Sequence, residues 1–522
     1  MRRLLLTLAL AACAGGVQAD RFVLAKTALE LQADDGRTLA RHAVRAKHMD
    51  QRSDDGSFAV LQDADSGQIQ LWRAEAGQLK RQAAWPAPAL EVEQLCLHRD
   101  AQGLLQLFLL GKEGLSEQWL IDGQRALPVQ RLATPPEPSA CRVRDAEAQL
   151  YVAEPGVGLW ALSANAERPG RRLLLAEPQL GEKALNAKLD VWLAEQPVAA
   201  PAASYPVVQP TGQTQPMREV GDAADDPAIW VHPRRGAQSL ILGTDKKRGL
   251  AVYSLDGRER QFLPVGRINN VDLRQGLTYG GRKLDLAVAT QRDEAGLVLF
   301  GISPAGKVSE LARLKTTLDD IYGICVGRNA EGGLDVFPND KDGRVQRLRL
   351  KQAGKNWSVE TVGEFRLDSQ PEGCVVDEAH QALFVGEEKR GVWRQDLAVA
   401  GSRPELVITA GPGLVPDVEG LAIHPGRGWL VVSSQGSDSY AVYDIQPPFA
   451  QRGSFAIGTN AALGIDAVSE TDGLDLTPAD LGGPYKDGLL VVQDGHKRLP
   501  QGPQNFKLVP WRDVEKAVQS RR

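Results

Sequence analysis

Along the chain, short apolar runs alternate with clusters of turn-forming residues. In the C-terminal part, four stretches share one form: "LDLAVAT…GLVLFGI", "LDVFPND…RVQRLRL", "ALFVGEE…GVWRQDL" and "WLVVSSQ…YAVYDIQ". Each reads as a short apolar strand, a turn holding Gly or Asp, and a second strand. With no helical periodicity between them, strands at this spacing predict an all-β fold of the sandwich, barrel or propeller type. A unit of about 50 residues that recurs several times favours the propeller, one four-stranded blade per unit and about six blades from Tyr205 onward.

The same pattern returns earlier in the chain. "ICVGRNAEGGLDVFPNDKDGRVQRLRL", from Ile324, echoes "LCLHRDAQGLLQLFLLGKEGLSEQWLI", from Leu95. "PEGCVVDEAHQALFVGEEKRGVW", from Pro371, echoes "PSACRVRDAEAQLYVAEPGVGLW", from Pro138, and "AVATQRDEAGLVLF", from Ala287, echoes "AVLQDADSGQIQLW", from Ala59. Residues 20–194 therefore read as a divergent, shorter copy with room for three or four blades, an incomplete propeller-like domain. Its open edges need covering, by the C-terminal domain or by self-association with a second copy. Between the copies, residues 195–220 ("EQPVAAPAASYPVVQPTGQTQPMREV") read as an extended linker, because proline blocks helix and central strand alike. The second domain is 221–522.

Composition narrows the class. A chain of 522 residues, 43% hydrophobic and 24% charged, can bury two or more cores. A net charge of −5 leaves no basic footprint for nucleic acid. Residues 1–19 read as a signal peptide with cleavage after Ala19, so the protein is expected to be exported, secreted or periplasmic. The rival reading is a lipoprotein box, "LAAC", with Cys13 as the lipid-anchored residue. No other apolar run is long enough to span a bilayer. Of the remaining cysteines, Cys96 and Cys141 are 45 residues apart and Cys325 and Cys374 are 49 apart, at matching points of the two copies. Without a CxxC pair a zinc site is not expected. Disulfides between neighbouring blades and buried free thiols both remain open.

The chemistry gathers at equivalent points of each unit. Lys246 and Lys247 follow "LILG", Arg292 follows "AVATQ", Lys341 ends "VFPNDK", Glu387 and Glu388 follow "LFVG", and Asp494 follows "LLVVQ". A second set precedes the first strands: Asp225, Asp226, Tyr322, Glu372, Asp417 and Glu419. In a propeller these turns converge at one end of the channel, as a ring of carboxylates with a few cations. Solvated turn residues would explain any one of them, but not the recurrence. The crowding of Asp222, Asp225 and Asp226 in "GDAADDPAIWVHP" asks for a neutralising cation. Hard carboxylate oxygens suit calcium, and lysine and arginine beside them suit phosphate, so the set describes a polyphosphate site.

The residues then become specific. "DAADDPAIW", "TDKKRGLAVYSLDG", "INNVDLR", "YGICVG", "QPEGCVVDE", "DVEGLAIHP", "SSQGSDSYAVYD" and "QNFKLVPW" run in order from Asp222 to Trp511, and this region resembles the β-propeller phytases. The resemblance implies a six-bladed β-propeller and calcium-dependent hydrolysis of myo-inositol hexakisphosphate (phytate), taken as phytate or calcium–phytate. It implies Asp225, Glu372, Glu388, Asp417, Glu419 and Asp494 as calcium ligands, with Tyr322 and Gln435 added, and Asp226 and Asp272 as ligands of structural calcium. Lys246, Arg292 and Lys341 would grip phosphate, with Lys247 beside them. The catalytic set would be Lys246, Arg292, Tyr322, Lys341, Glu388 and Asp494. One departure is the segment before Asp222, where Glu219 is the sole acidic residue of "TGQTQPMREV", so a structural calcium there is expected to be weak or missing.

The N-terminal copy has lost the set: Lys112 and Glu154 match Lys341 and Glu387, but Asp63, Ser139 and Pro155 stand where Arg292, Glu372 and Glu388 should be. It is expected to be non-catalytic. "RHAVRA", from Arg41, lacks the Gly and Pro of a histidine acid phosphatase motif. The rival class is an exported calcium-binding propeller acting as a lactonase or binding module, which would not need the basic trio.

Overall fold

The computed structural model describes residues 21–53, 57–197 and 205–519. Residues 1–19, expected as a signal peptide, and Cys13 among them lie outside the described residues. The described residues form two compact units, one mainly from the chain before Ala199 and one mainly from the chain after it.

Among its described residues the C-terminal unit holds six sheets, antiparallel but for one short parallel edge pair. Their leading strands are Ala224–Trp230, Ile268–Tyr279, Ile321–Arg328, Pro371–Asp377, Val418–His424 and Leu474–Thr477. Each leading strand packs beside the next, and Leu474–Thr477 returns to Ala224–Trp230. The second strands, such as Leu240–Asp245 and Ala382–Glu387, are buried throughout, which is why they read as unbroken apolar runs. Apolar side chains of adjacent sheets interleave; Trp230, Leu242 and Val252 pack with Val271, Ala289 and Phe300.

Carboxylates lace sheet to sheet. Asp226 Oδ2 accepts the amide of Val271 at 3.1 Å, Asp272 Oδ2 that of Val326 at 2.8 Å, and Asp475 Oδ2 that of Ile229 at 2.7 Å, the last tying the sixth sheet to the first. Asp272 also pairs with Arg274 at 3.0 Å. Asp226 and Asp272, expected as structural calcium ligands, are thus engaged as latches between leading strands.

The expected linker is corrected in its second half. Val207–Val208 pairs in parallel with Gln451–Ile457, and Gly212–Gln213 pairs with Asn505–Pro510. Proline spacing leaves short free stretches that can add to exposed sheet edges, so this segment belongs to the C-terminal unit and its boundary precedes residue 221.

Among its described residues the N-terminal unit holds a three-stranded sheet (Arg21–Ala43) and three four-stranded sheets, led by Ala46–Arg52, Val92–Arg99 and Ala140–Arg144. A helix that the strand pattern did not predict, Glu182–Glu195, lays Leu185 and Leu189 on Ala140, Tyr151 and Leu159. It covers a sheet face that would otherwise be exposed apolar surface. Asn186 on this helix accepts from the Ser139 hydroxyl at 2.7 Å. The position equivalent to Glu372 is therefore occupied by helix packing.

Both cysteine pairs form disulfides, Cys96–Cys141 and Cys325–Cys374, each joining the leading strands of adjacent sheets. Closing a loop of 49 residues should stabilise the C-terminal unit by about 4 kcal/mol through the unfolded state. Replacing Cys325 and Cys374 together by alanine is expected to lower its denaturant midpoint accordingly, with neither Cys325 nor Cys374 titrating as a free thiol in the unfolded wild-type protein.

Candidate active site

Five of the six leading strands carry an irregularity near their start, Leu474–Thr477 being regular. Register shifts fall between Ala224 and Pro227, Ile321 and Ile324, Pro371 and Cys374, and Val418 and Leu421. A bulge re-aims the side chain it carries, and those four contain Asp225, Tyr322, Glu372 and Glu419. A glycine follows in three of them, because the bulges nearly touch. A Cβ on Gly323 would sit 2.0 Å from the Glu372 carbonyl oxygen, and one on Gly373 would sit 2.3 Å from that of Glu419. Second strands end at the same level and deliver Lys246, Arg292, Lys341, Glu388 and Gln435.

The result is a cavity of about 500 Å³ lined by Lys246, Tyr322, Glu372, Glu388, Asp417 and Glu419, among others. Carboxylate oxygens of Glu372, Glu388 and Glu419 lie within 4.8 Å of one another. Asp225 is fully buried, and neither of its carboxylate oxygens receives a hydrogen bond; Glu419 Oε2 is likewise buried without a donor. Burial, then the neighbouring Glu372, pushes the Glu419 carboxyl well above its usual range. Asp225 is pushed up by burial against the pull of Lys246. Glu388 rises to about 7, through burial and then Glu372 and Asp417.

Lys246 is the counter-charge inside the cluster. Its Nζ lies 2.8 Å from Asp222 Oδ1, 2.9 Å from Asp472 Oδ2 and 3.4 Å from Asp225 Oδ2. Burial alone would lower its pKa, but Asp225, Asp472 and Glu372 hold it well above the usual lysine value. Arg292 and Lys341 stand over the Tyr322 ring, at 5.4 and 4.3 Å from its centroid. Arg292 Nη1 also reaches Asn269 Oδ1 at 3.4 Å, and Asn269 Nδ2 donates to Glu372 at 2.9 Å. Basic and acidic halves of the site are thus joined through one amide.

Asp472 was absent from the sequence-based set. It takes Lys246 on one oxygen, and Gln435 Nε2 donates to the other at 2.7 Å. Burial, opposed by Lys246, sets its carboxyl at about 6. A signal did exist: "TDGL" repeats the acid–glycine step of "PEGC" and "VEGL".

Two expected residues stand elsewhere. Asp494 is fully buried with its carboxylate on Lys507, which is itself fully buried and lies 3.1 Å from Asp466. A lysine ammonium thus meets the charge of Asp494, which is not among the residues that line the cavity. Lys247 directs its ammonium to the Val220 carbonyl oxygen. Asp417 sits at the rim, paired with Lys389, and the Glu388 carboxylate is held by the Gln370 amide.

The donor set fits a hard divalent cation. It is all oxygen, crowded, and contains buried carboxylate oxygens with no proton donor of their own. The orphaned oxygens of Asp225 and Glu419 carry the argument.

Two carboxyls here titrate high, Glu388 from 4.5 to about 7 and Asp472 from 3.8 to about 6. The folded state then binds more protons than the unfolded chain between pH ~4 and ~7. In EDTA the thermal midpoint of the C-terminal unit should fall as pH rises through that window. Added calcium should remove most of the fall; a midpoint flat with pH in EDTA would contradict it.

Comparison with known proteins agrees with this geometry. Residues 187–522 match the family model described as Phytase. A 3-phytase of Bacillus subtilis (strain 168) is 34% identical over 319 residues, spanning 58% of this chain and 83% of that protein. Among solved structures, a functionally unknown protein of Desulfotomaculum acetoxidans DSM 771 aligns at 11% identity with a TM-score of 0.33, over 64% of this chain and 90% of that one, too distant to bear on the fold. With a carboxylate cluster and a basic rim at one mouth, and a family match across the whole C-terminal unit, the chain belongs to the phytase family.

Proposed function

We propose that the C-terminal unit is a six-bladed β-propeller that hydrolyses phosphate monoesters of phytate, with calcium held in the carboxylate cluster. The observation that carries this is the pairing of buried carboxylate oxygens that receive no hydrogen bond, in Asp225 and Glu419, with basic side chains close by: Lys246 within the cluster, and Arg292 and Lys341 over the ring of Tyr322, which lines the cavity.

Asp225, Glu372, Glu388, Asp417, Glu419 and Asp472 would hold the ions, with Gln435 beside them. Bound there, calcium supplies polarisation of the phosphoryl oxygens and a more acidic water. The chain's own groups bind and orient. Arg292 offers a planar pair of donors to phosphate oxygens, and Lys246 and Lys341 offer point charges. Placed around the phosphoryl group, they offset charge on its equatorial oxygens as the bond to the leaving oxygen lengthens. Tyr322 spaces Arg292 and Lys341. Burial, then Glu372 and Asp225, pushes its phenol far up, so its hydroxyl stays protonated and able to donate. The bond broken is between phosphorus and the ester oxygen; water supplies the incoming oxygen, and inorganic phosphate leaves with a lower inositol phosphate.

The N-terminal unit we read as non-catalytic, because Ser139 stands for Glu372 and is bonded to Asn186. The protein we read as exported. Among the described residues no helix is long and apolar enough to cross a membrane.

Purified protein should release phosphate from phytate in calcium and stop in excess EDTA. Glu388→Gln should lower kcat by about a hundredfold or more, as loss of one preorganised electrostatic group typically does. Calcium-loaded, folded protein that releases no phosphate would sink the reading and leave a calcium-binding module in its place. A chain of residues 20–197 alone should release none.

A further inference from the structure

The pairing of first and second strands is interrupted where site residues stand. It skips Asn269 and Asn270, Tyr322 and Gly323, and Glu372 and Gly373. A skipped residue leaves its backbone N–H and C=O without a cross-strand partner, and a buried backbone group has to find one. The partners come from a single position, the last but one of the second strand. Thr244, Thr290, Asn339, Ser433 and Gln493 occupy it in five of the six sheets, and all are fully buried. In the fourth sheet Gly386 stands there.

Four of these side chains reach from their own sheet to the next. The Thr290 hydroxyl accepts the Asn270 amide at 3.3 Å and donates to the Tyr322 carbonyl at 2.7 Å. Asn339 Oδ1 accepts the Gly323 amide at 2.8 Å, and its Nδ2 donates to the Glu372 carbonyl at 2.7 Å. Ser433 donates to the Thr471 carbonyl at 3.0 Å. Gln493 accepts the Asp472 amide at 2.9 Å and reaches the Ala224 carbonyl at 3.4 Å, from the sixth sheet back to the first. Each bond falls on a site residue or its immediate neighbour.

The N-terminal copy builds its sheets without the Asn339 bridge. Leu110, two residues before Lys112, stands where Asn339 precedes Lys341, and it is buried among Cys96, Phe108 and Cys141. The next leading strand, Ala140–Arg144, pairs without a register shift, and the Cys96–Cys141 disulfide still forms. The bridge therefore goes with the bulge and its acid, not with the sheet.

We propose that Asn339, with Thr290 one sheet earlier, is a positioning residue of the phytate site: its amide locks the bulge that carries Tyr322 to the bulge that carries Glu372. The Tyr322 ring lies under Arg292 and Lys341, and Glu372 belongs to the carboxylate cluster. Asn339 thus sets the reach between the basic side chains and that cluster, an assignment that rests on the phytase reading.

The test compares Asn339→Val and Asn339→Thr with wild type in the full chain, after matched thermal melts establish folding. Valine and threonine have nearly the same shape, but threonine adds a hydroxyl that can accept and donate at once, as Thr290 does. Asn339→Val should lower kcat on phytate about tenfold to a hundredfold, as a displacement of about 1 Å at a reacting centre does. KM should change less than about threefold, since the lost alignment matters most in the transition state. Asn339→Thr should regain most of kcat. Equal kcat in the two variants, or wild-type kcat in both, would overturn the proposal, whatever their melting midpoints. If Asn339→Val does not fold, Thr290→Val against Thr290→Ser reads the same expectation at the preceding bridge. Wild-type protein inert on phytate would instead defeat the phytase reading. The bridge is then decided by calorimetry with inorganic phosphate at saturating calcium. Binding weakened about tenfold in Asn339→Val and regained in Asn339→Thr supports it, as loss of a charge-assisted contact implies; equal binding in all three proteins, or none in any, overturns it.

Discussion

Negative charge confined without donors is the constraint on which this molecule turns. Asp225, Glu372 and Glu419 are buried side by side, and Asp225 receives no hydrogen bond at either carboxylate oxygen. A carboxylate in that position either takes up a proton or finds a cation. Lys246, inserted among Asp222, Asp225 and Asp472, meets part of the charge. The remainder is charge that, under the proposed function, a hard cation would meet.

The surrounding architecture exists to hold that crowd in place. Bulges at the starts of the leading strands turn acidic side chains inward, and glycines after them let neighbouring strands come close enough to share one centre. Self-repulsion at the centre has to be balanced elsewhere. It is balanced by interleaved apolar side chains between sheets, by the Asp226, Asp272 and Asp475 latches, and by the disulfide between Cys325 and Cys374. None of these involves the reacting groups, so the scaffold and the site can be perturbed separately.

Charge balance also separates residues that look alike in the chain. Glu388 and Asp494 both follow apolar second strands, yet Glu388 lines the cavity and Asp494 is spent on Lys507. Lys246 and Lys247 are adjacent, yet one enters the cluster and the other caps the Val220 carbonyl.

By itself the sequence determined the all-β class, the internal repeat, the family and many of the acidic and basic side chains that the fold gathers around one cavity. Those features are written locally: strand period, turn chemistry, and acidic or basic residues at fixed offsets from apolar runs. Asp472 was within reach of the same rule, since its acid–glycine step repeats that of Glu372 and Glu419. Tertiary structure alone decided the rest. Residues 207–213 read as linker because short Pro-flanked segments carry no strand pattern, and they became strands only when sheet edges offered them partners. Asp494 lies on the buried Lys507, and Asp226 and Asp272 accept amides of neighbouring strands, because the partners of a buried carboxylate depend on which donors the fold brings to it. Spacing along the chain records where charges are placed; it does not record which of them end up facing each other.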